Sequence, residues 1–178
     1  MDKKRILIWE LIAIIFIIFL GSASHFFFEW SGSLIYIGLF SPVNESVWEH
    51  LKLTYWPLII FCLIEYKFIS SKSNNYFFAK LSGAILMNLI IISVFYSYTS
   101  IIGEELLIVD ILSFIIAVIF GQFLIYKLMT IPEINRQYIQ VISLIFLVIY
   151  GLVFIIFTFF PLELPIFLDS ISGKYGIP

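Results

Sequence analysis

Charged residues and cysteines are scarce in this chain of 178 residues. Charged side chains make up 12% of it, whereas roughly 25% is usual for soluble domains. The single cysteine, Cys62, has no partner for an intramolecular disulfide and lies in an apolar run. It therefore predicts a packing residue and leaves the redox compartment open. A net charge of -2 argues against a nucleic-acid partner.

Several catalytic signatures are also missing. The sequence has no Gly-rich phosphate loop, no His-Glu-x-x-His motif and no Gly-x-Ser-x-Gly motif, which disfavours the nucleotidase, metallopeptidase and serine-hydrolase classes that carry them. There are two histidines. Any metal site must therefore be rich in carboxylates, which disfavours zinc chemistry of the three-histidine type.

Long apolar stretches dominate what is present. Hydrophobic residues make up 62% of the chain, and the mean hydropathy is +1.09. A helix needs about 20 apolar residues to cross a bilayer, and five stretches approach that length, roughly residues 6–28, 51–66, 77–98, 106–128 and 138–160. No internal repeat or linker divides them. We therefore predict one all-α domain over residues 1–178, a bundle of five transmembrane helices in the cell membrane, with membrane lipids as its partners.

The second stretch is short for a span and is expected to begin earlier. Ser41-Pro42 is typical of an N-cap followed by proline at the first helical position. Pro57 lies inside the stretch and cannot donate a hydrogen bond to the Leu53 carbonyl group. This predicts a kink that tilts one half of the helix toward the first span.

The lysine and arginine residues predict the orientation in the membrane. If the N-terminus is cytoplasmic, only Lys52 and Lys174 lie outside, and the positive-inside rule is satisfied. An odd number of spans then places the C-terminus outside. The residues predicted to lie inside are Lys3, Lys4, Arg5, Lys67, Lys72, Lys80, Lys127 and Arg136.

The first stretch also resembles a cleavable signal peptide. Lys3-Lys4-Arg5 precedes the apolar run, and the small residues Ser22-Ala23-Ser24 follow it. The run continues through Phe28, which favours a spanning helix. The small residues from Gly21 to Ser24 then serve close approach between helices.

Histidines and carboxylates collect at the predicted outer ends of the first two spans. His25 and Glu29 are four residues apart, as are Glu45 and Glu49, and His50 follows directly. Such pairs share one face of a helix. Imidazole with carboxylates suits a divalent zinc, iron or manganese ion, which can activate water; without metal, a His–Glu pair can act as a general base.

These residues predict one connected polar site made of His25, Glu29, Glu49 and His50, with Glu45 at its edge. They are the candidate catalytic residues, and all five are candidate ligands of a divalent metal ion. Asp110, one turn into the fourth span, can extend the site. The leading hypothesis is hydrolysis or modification of a lipid or envelope substrate.

Other interpretations stay open, and whether the chain is an enzyme is one of the questions. A carboxylate near a helix N-terminus is favourable without any ligand, and Glu49 can simply pair with Lys52 three residues on. The alternative functions are a transporter or proton-coupled permease component and a non-catalytic accessory or assembly protein. The apolar residues of the tail after Pro161 predict that it folds back over the outer helix ends, bringing Asp169 toward the cluster.

Three segments resemble an uncharacterised family of small bacterial multi-pass membrane proteins, a domain of unknown function. The central segment, Pro42-Val43-Asn44-Glu45-Ser46-Val47-Trp48-Glu49-His50-Leu51-Lys52, is the most specific. The others are residues 21–29 around His25 and the tail from Pro165 to Ile177. The resemblance spans the chain and implies no activity. It does imply that the three segments belong to one pattern.

Overall fold

The computed structural model describes residues 2–134 and 137–177. Within them the chain is all-α, and five helices are long and apolar enough to cross a membrane. The helices are α1 (Lys3–Ser24), α2 (Phe27–Trp30), α3 (Ile35–Gly38), α4 (Val47–His50), α5 (Lys52–Ile69), α6 (Tyr76–Ile102), α7 (Leu107–Thr130) and α8 (Gln137–Phe159), with 3-10 turns at Ser70–Lys72 and Pro165–Phe167.

The five long helices agree with the five apolar stretches of the sequence. Helix α4 and α5 together form the second candidate span, Val47–Lys72. The bundle has two ends. We call the end with Ser24, Val47, Ile102 and Leu107 the tail end, because the C-terminal segment packs there, and the end with Lys3, Ile69, Tyr76 and Thr130 the basic end.

The boundaries of the helices follow from local chemistry. Asp2 caps α1, since its carboxylate accepts a hydrogen bond from the Arg5 backbone N–H at 3.1 Å. Helix α6 ends at Gly103, whose φ of 85° is the left-handed conformation that glycine adopts at a helix C-terminus. Ser46, not Ser41, caps the second span, because its hydroxyl accepts from the Glu49 N–H. The predicted cap at Ser41-Pro42 is therefore wrong, and residues 41–46 form a loop that is buried except at Glu45.

Close helix contacts depend on small residues. Helices α6 and α7 form the most extensive pair, and a Cβ atom on Gly83 or Gly121 would lie 2.4 Å from Ile125 or Met87, respectively. Helix α1 packs against α5 and α7, while α8 packs on α6. The outward faces are apolar, with Phe19 and Leu63 more than 70% exposed. Such surface suits lipid contact better than water.

The tail packs on the tail end, as the sequence predicted. Phe167 is buried against Trp48 and Phe157, with ring centroids 4.8 and 5.3 Å apart. The Asn44 side-chain amide donates to the Gly176 carbonyl oxygen at 2.7 Å. Leu164 and Leu168 belong to the apolar tail residues whose burial the fold-back predicts, but they stay 49% and 38% exposed. Among the described apolar side chains of the tail, Phe167 is therefore the one that is buried.

Candidate metal and catalytic site at the tail end

His25 and His50 meet at the tail end because two helix termini place them there. His25 follows directly after α1, and His50 is the last residue of α4. Their Nε2 atoms lie 3.1 Å apart. The Glu45 carboxylate completes a triangle, with its Oε2 atom 3.5 Å from the His25 Nε2 and 3.3 Å from the His50 Nε2. Among the described residues, these three form the one group of His, Cys, Asp and Glu side chains close enough to share a metal ion.

The hydrogen bonds of the rings indicate where the protons lie. The His50 Nδ1 atom is 2.8 Å from the Ser46 carbonyl oxygen, so it is the nitrogen that carries the proton of a neutral ring. The His50 Nε2 atom then presents a lone pair to Glu45. The His25 Nδ1 atom is buried without a hydrogen-bond partner in the described part of the chain. Within the triangle, lone pairs therefore outnumber the available protons.

Charge around the triangle favours the ionised carboxylate. The side chains of His25, His50 and Glu45 are 28%, 29% and 38% exposed, so water reaches them partly. The imidazole of His25, and then that of His50, donates to the Glu45 carboxylate whenever the ring is protonated, and these contacts hold the pKa of Glu45 well below its usual value, although partial burial opposes this. The carboxylate is therefore negative at neutral pH.

A cavity of about 530 Å³ opens beside the triangle, within the range of roughly 300–1,000 Å³ that is typical of small-molecule pockets. Most of its wall is apolar. The polar side chains on it, apart from the triangle, include Glu105 and Asp110. The Asp110 carboxylate accepts a hydrogen bond from the Tyr98 hydroxyl at 2.8 Å. The remaining lining residues are Ser22, Phe26, Val47, Leu53, Ile91, Phe95, Leu107, Ile111, Ser113 and Phe114.

The tail fixes the backbone of Glu45. The Asp169 carboxylate accepts a hydrogen bond from the Glu45 N–H at 3.2 Å, and the Ser170 hydroxyl donates to the Glu45 carbonyl oxygen at 3.4 Å. Although burial of Asp169 raises its pKa, hydrogen bonds from Ser172, Ile171 and Glu45 lower it further, so the net shift is downward. Asp169 thus approaches the cluster through the backbone of Glu45, not through its side chain.

Glu45 is central and Glu49 is remote, which reverses the arrangement expected from the sequence. That expectation assumed one helix through both residues, but the helix begins at Val47 and Glu45 precedes it. Successive helical residues point about 100° apart, so Glu49 and His50 face different neighbours. Glu49 is buried and binds the Lys52 ammonium at 2.6 Å, the Val43 N–H at 3.0 Å and the Thr158 hydroxyl at 3.0 Å. The simple pairing of Glu49 with Lys52 is confirmed.

Glu29 is also separate from the triangle. Helix α1 ends at Ser24, and Phe27–Trp30 forms the short helix α2, so the spacing of four from His25 no longer places both residues on one face. Glu29 is exposed. Its carboxylate makes no hydrogen bond or ion pair with any described residue. The sequence also missed Glu105 and Tyr98, which lie on or beside the cavity, because nothing local relates them to a histidine about 50 or more positions away.

Comparison with known proteins gives one match. The model of a family of unknown function (DUF6512) matches residues 1–177. No curated protein and no solved structure matches the chain.

Proposed function

The chain belongs to this family of unknown function, and we propose from its geometry that it is an integral membrane protein with a catalytic zinc-type centre on His25, Glu45 and His50. The centre faces the apolar cavity and serves hydrolysis of a lipid-like substrate. Glu29 and Glu49 are not ligands in this proposal, because they lie outside the triangle.

The distances within the triangle carry the proposal. Ligand atoms 2.0–2.1 Å from a tetrahedral zinc ion are about 3.3–3.4 Å from one another. The three separations are 3.1, 3.3 and 3.5 Å. A divalent cation at the centre would satisfy all three lone pairs at once, whereas the single proton on a neutral His25 Nε2 satisfies fewer.

The donor set also fits a catalytic centre. Two imidazoles and one carboxylate leave a fourth position for water, as in zinc hydrolases with a His₂Glu set, and a zinc ion lowers the pKa of bound water to about 7. The Ser46 carbonyl oxygen holds the His50 ring through Nδ1, which is the usual orienting contact of a metal-bound histidine. Manganese and iron accept the same ligands.

The cavity favours an amphiphilic substrate. Its wall combines Phe95, Ile91, Phe114 and other apolar side chains with the triangle and Asp110. A hydrocarbon chain fits the apolar wall. The ester or phosphoester group of the substrate then lies near His25, Glu45 and His50. There, water adds across the scissile bond and releases an acid and an alcohol.

The cell membrane, with the tail end outside, is the proposed location. Seven of the described basic residues lie at the basic end or within about two turns of it, namely Lys3, Lys4, Arg5, Lys67, Lys72, Lys80 and Lys127. Arg136 falls outside the described residues. Lys52 and Lys174 lie at the tail end. The positive-inside rule then makes the N-terminus cytoplasmic and the site extracytoplasmic.

Zinc binding by the purified full-length chain in detergent tests the proposal. Equilibrium dialysis against zinc, followed by elemental analysis, should give one zinc ion per chain. His25→Ala, His50→Ala and Glu45→Gln should each weaken binding at least about tenfold. Glu29→Gln is the matched control and should bind zinc as the wild type does.

The competing role is a non-catalytic accessory protein with a structural hydrogen-bond cluster. It would be favoured if the wild type held no zinc, manganese or iron and the histidine variants lost only thermal stability. If zinc bound to the wild type but a panel of carboxylic and phosphoric esters were not hydrolysed, the metal centre would stand and the hydrolytic assignment would be wrong.

A further inference from the structure

A second cluster of ionisable groups lies deep in the bundle near the basic end. Glu10 of α1, Glu65 of α5 and Lys80 of α6 are 2%, 0% and 0% exposed. The Lys80 ammonium is 2.9 Å from the Glu10 Oε1 atom and also contacts the Glu65 Oε1 atom. The Tyr76 hydroxyl is 2.9 Å from that same Glu65 oxygen. Three helices are thus joined at one ammonium group.

The groups in this cluster do not balance in charge. Two carboxylates and one ammonium leave one negative charge in a site without access to water. The Glu10 Oε2 and Glu65 Oε2 atoms are buried without a hydrogen-bond partner in the described residues. Burying an uncompensated charge is strongly unfavourable, so a further positive charge is expected at these two oxygens.

We propose that the cluster is a proton-binding site that holds one proton, carried by Glu10. The Glu65 oxygen lies within reach of two donors, Lys80 and the single hydroxyl proton of Tyr76, whose other acceptor is the Cys62 carbonyl oxygen at 3.0 Å. Because a carboxylate is a stronger acceptor than a carbonyl group, these donors stabilise the ionised form of Glu65. Among the described residues, the Glu10 carboxyl group accepts a hydrogen bond from Lys80 only. The neutral Glu10 carboxyl, the Glu65 carboxylate and the Lys80 ammonium then sum to zero. In the part of the chain that the structure describes, the other titratable groups beside the cluster are the Tyr76 hydroxyl and the Cys62 thiol. Both are neutral in their ordinary state, so they do not alter this sum.

The proton site links the packing of three helices to protonation. Loss of the proton would place two carboxylates against one ammonium where α1 meets α5 and α6. Helix α1 also leads directly to His25 at the other end of the bundle. Release of the proton is therefore expected only together with a local separation of these helices that admits water or a cation.

Infrared spectroscopy on the full-length protein in lipid nanodiscs tests the proposal. At neutral pH the wild type should show the C=O stretch of a protonated carboxyl group, shifted in D₂O. Glu10→Gln should abolish this band, and Lys80→Met should about double it, because both carboxyls must then be neutral. Glu133→Gln changes an exposed carboxylate and should leave the band unchanged.

Thermal unfolding gives a second readout that does not depend on the band. Gln mimics a neutral carboxyl, so Glu10→Gln should change Tm by less than about 3 °C, whereas Glu65→Gln should lower it more. A wild type without the band, or a band that survives in Glu10→Gln, would overturn the proposal. So would a band that appears only when sodium is replaced by choline, because a sodium ion would then occupy the site.

Discussion

Lys52 is fully buried at the tail end, and its ammonium group is surrounded by oxygen atoms. It lies 2.6 Å from the Glu49 carboxylate, 2.9 Å from the Gly38 carbonyl oxygen and 3.3 Å from that of Ser41. The lysine therefore joins α4 and α5 to the loop that precedes α4. That loop also carries Glu45. The buried pair of Lys52 and Glu49 therefore stabilises the loop that positions a candidate metal ligand, although neither residue belongs to the triangle.

Removing one partner of this pair should be more harmful than removing both charges. We expect Lys52→Met to destabilise the protein by about 3 kcal/mol or more, because it leaves the Glu49 carboxylate buried without its cation. Thermal unfolding in detergent measures the effect. In the double variant with Glu49→Gln, the amide oxygen can still accept from the Val43 N–H, and the amide N–H₂ group can donate to the Thr158 hydroxyl, whose own proton has the Phe154 carbonyl oxygen 2.9 Å away as an acceptor. Much of the loss should therefore be recovered. Equal losses in the single and double variants would contradict a charge-pairing role.

At the scale of helices, the contact between α1 and α5 depends on Gly21 and Pro57. Helix α5 runs through Pro57, which has no N–H to offer the Leu53 carbonyl group. That carbonyl oxygen faces Gly21, where a Cβ atom would lie 2.5 Å away. Glycine thus lets α1 approach the unpaired carbonyl group closely. The predicted kink at Pro57 stays a prediction.

Gly21→Ala should therefore push α1 away from α5 and α7. The added methyl would also lie 2.7 Å from the Phe114 ring. Overpacking of this kind costs about 1–3 kcal/mol, so Tm should fall. Because His25 is one turn further along, zinc affinity should fall as well. Ser22→Ala, at the exposed neighbouring position, should leave Tm unchanged; a Gly21→Ala protein with normal Tm and zinc affinity would show that the contact is not tight.

The five long helices could be predicted because hydropathy over about 20 residues does not depend on which face points inward. Predicting the site required, in addition, the exact residues at which the helices begin and end. The predicted cap, Ser41, lies five residues before Ser46, which caps the second span in the structure, and this displacement exchanges the expected roles of Glu45 and Glu49. The break after Ser24 likewise removes Glu29 from the face of His25. Such single-residue boundaries are where sequence patterns are least decisive.

At the scale of the whole molecule, the two ionisable clusters lie toward opposite ends. The triangle of His25, Glu45 and His50 borders a cavity, whereas Glu10, Glu65 and Lys80 are sealed within the bundle. Lys80 meets Glu10 across 70 positions of sequence, a pairing that local periodicity cannot predict. What the sequence does contain is the overall charge asymmetry, with basic residues concentrated at one end.

That asymmetry predicts a cytoplasmic N-terminus and an extracytoplasmic C-terminus. An enzyme reporter that is active only outside the cytoplasm should be active when fused after Pro178, and a cytoplasm-only reporter should be silent there.

The orientation follows from Lys and Arg, which resist translocation, so removing positive charge from the N-terminus gives a second test. Replacing Lys3, Lys4 and Arg5 with Gln should reduce the fraction of correctly oriented chains, whereas replacing Asp2 with Asn should have little effect because acidic residues contribute little to orientation. A C-terminal fusion active only in the cytoplasm would reverse the topology and place the metal site on the cytoplasmic side, where an envelope substrate could not reach it.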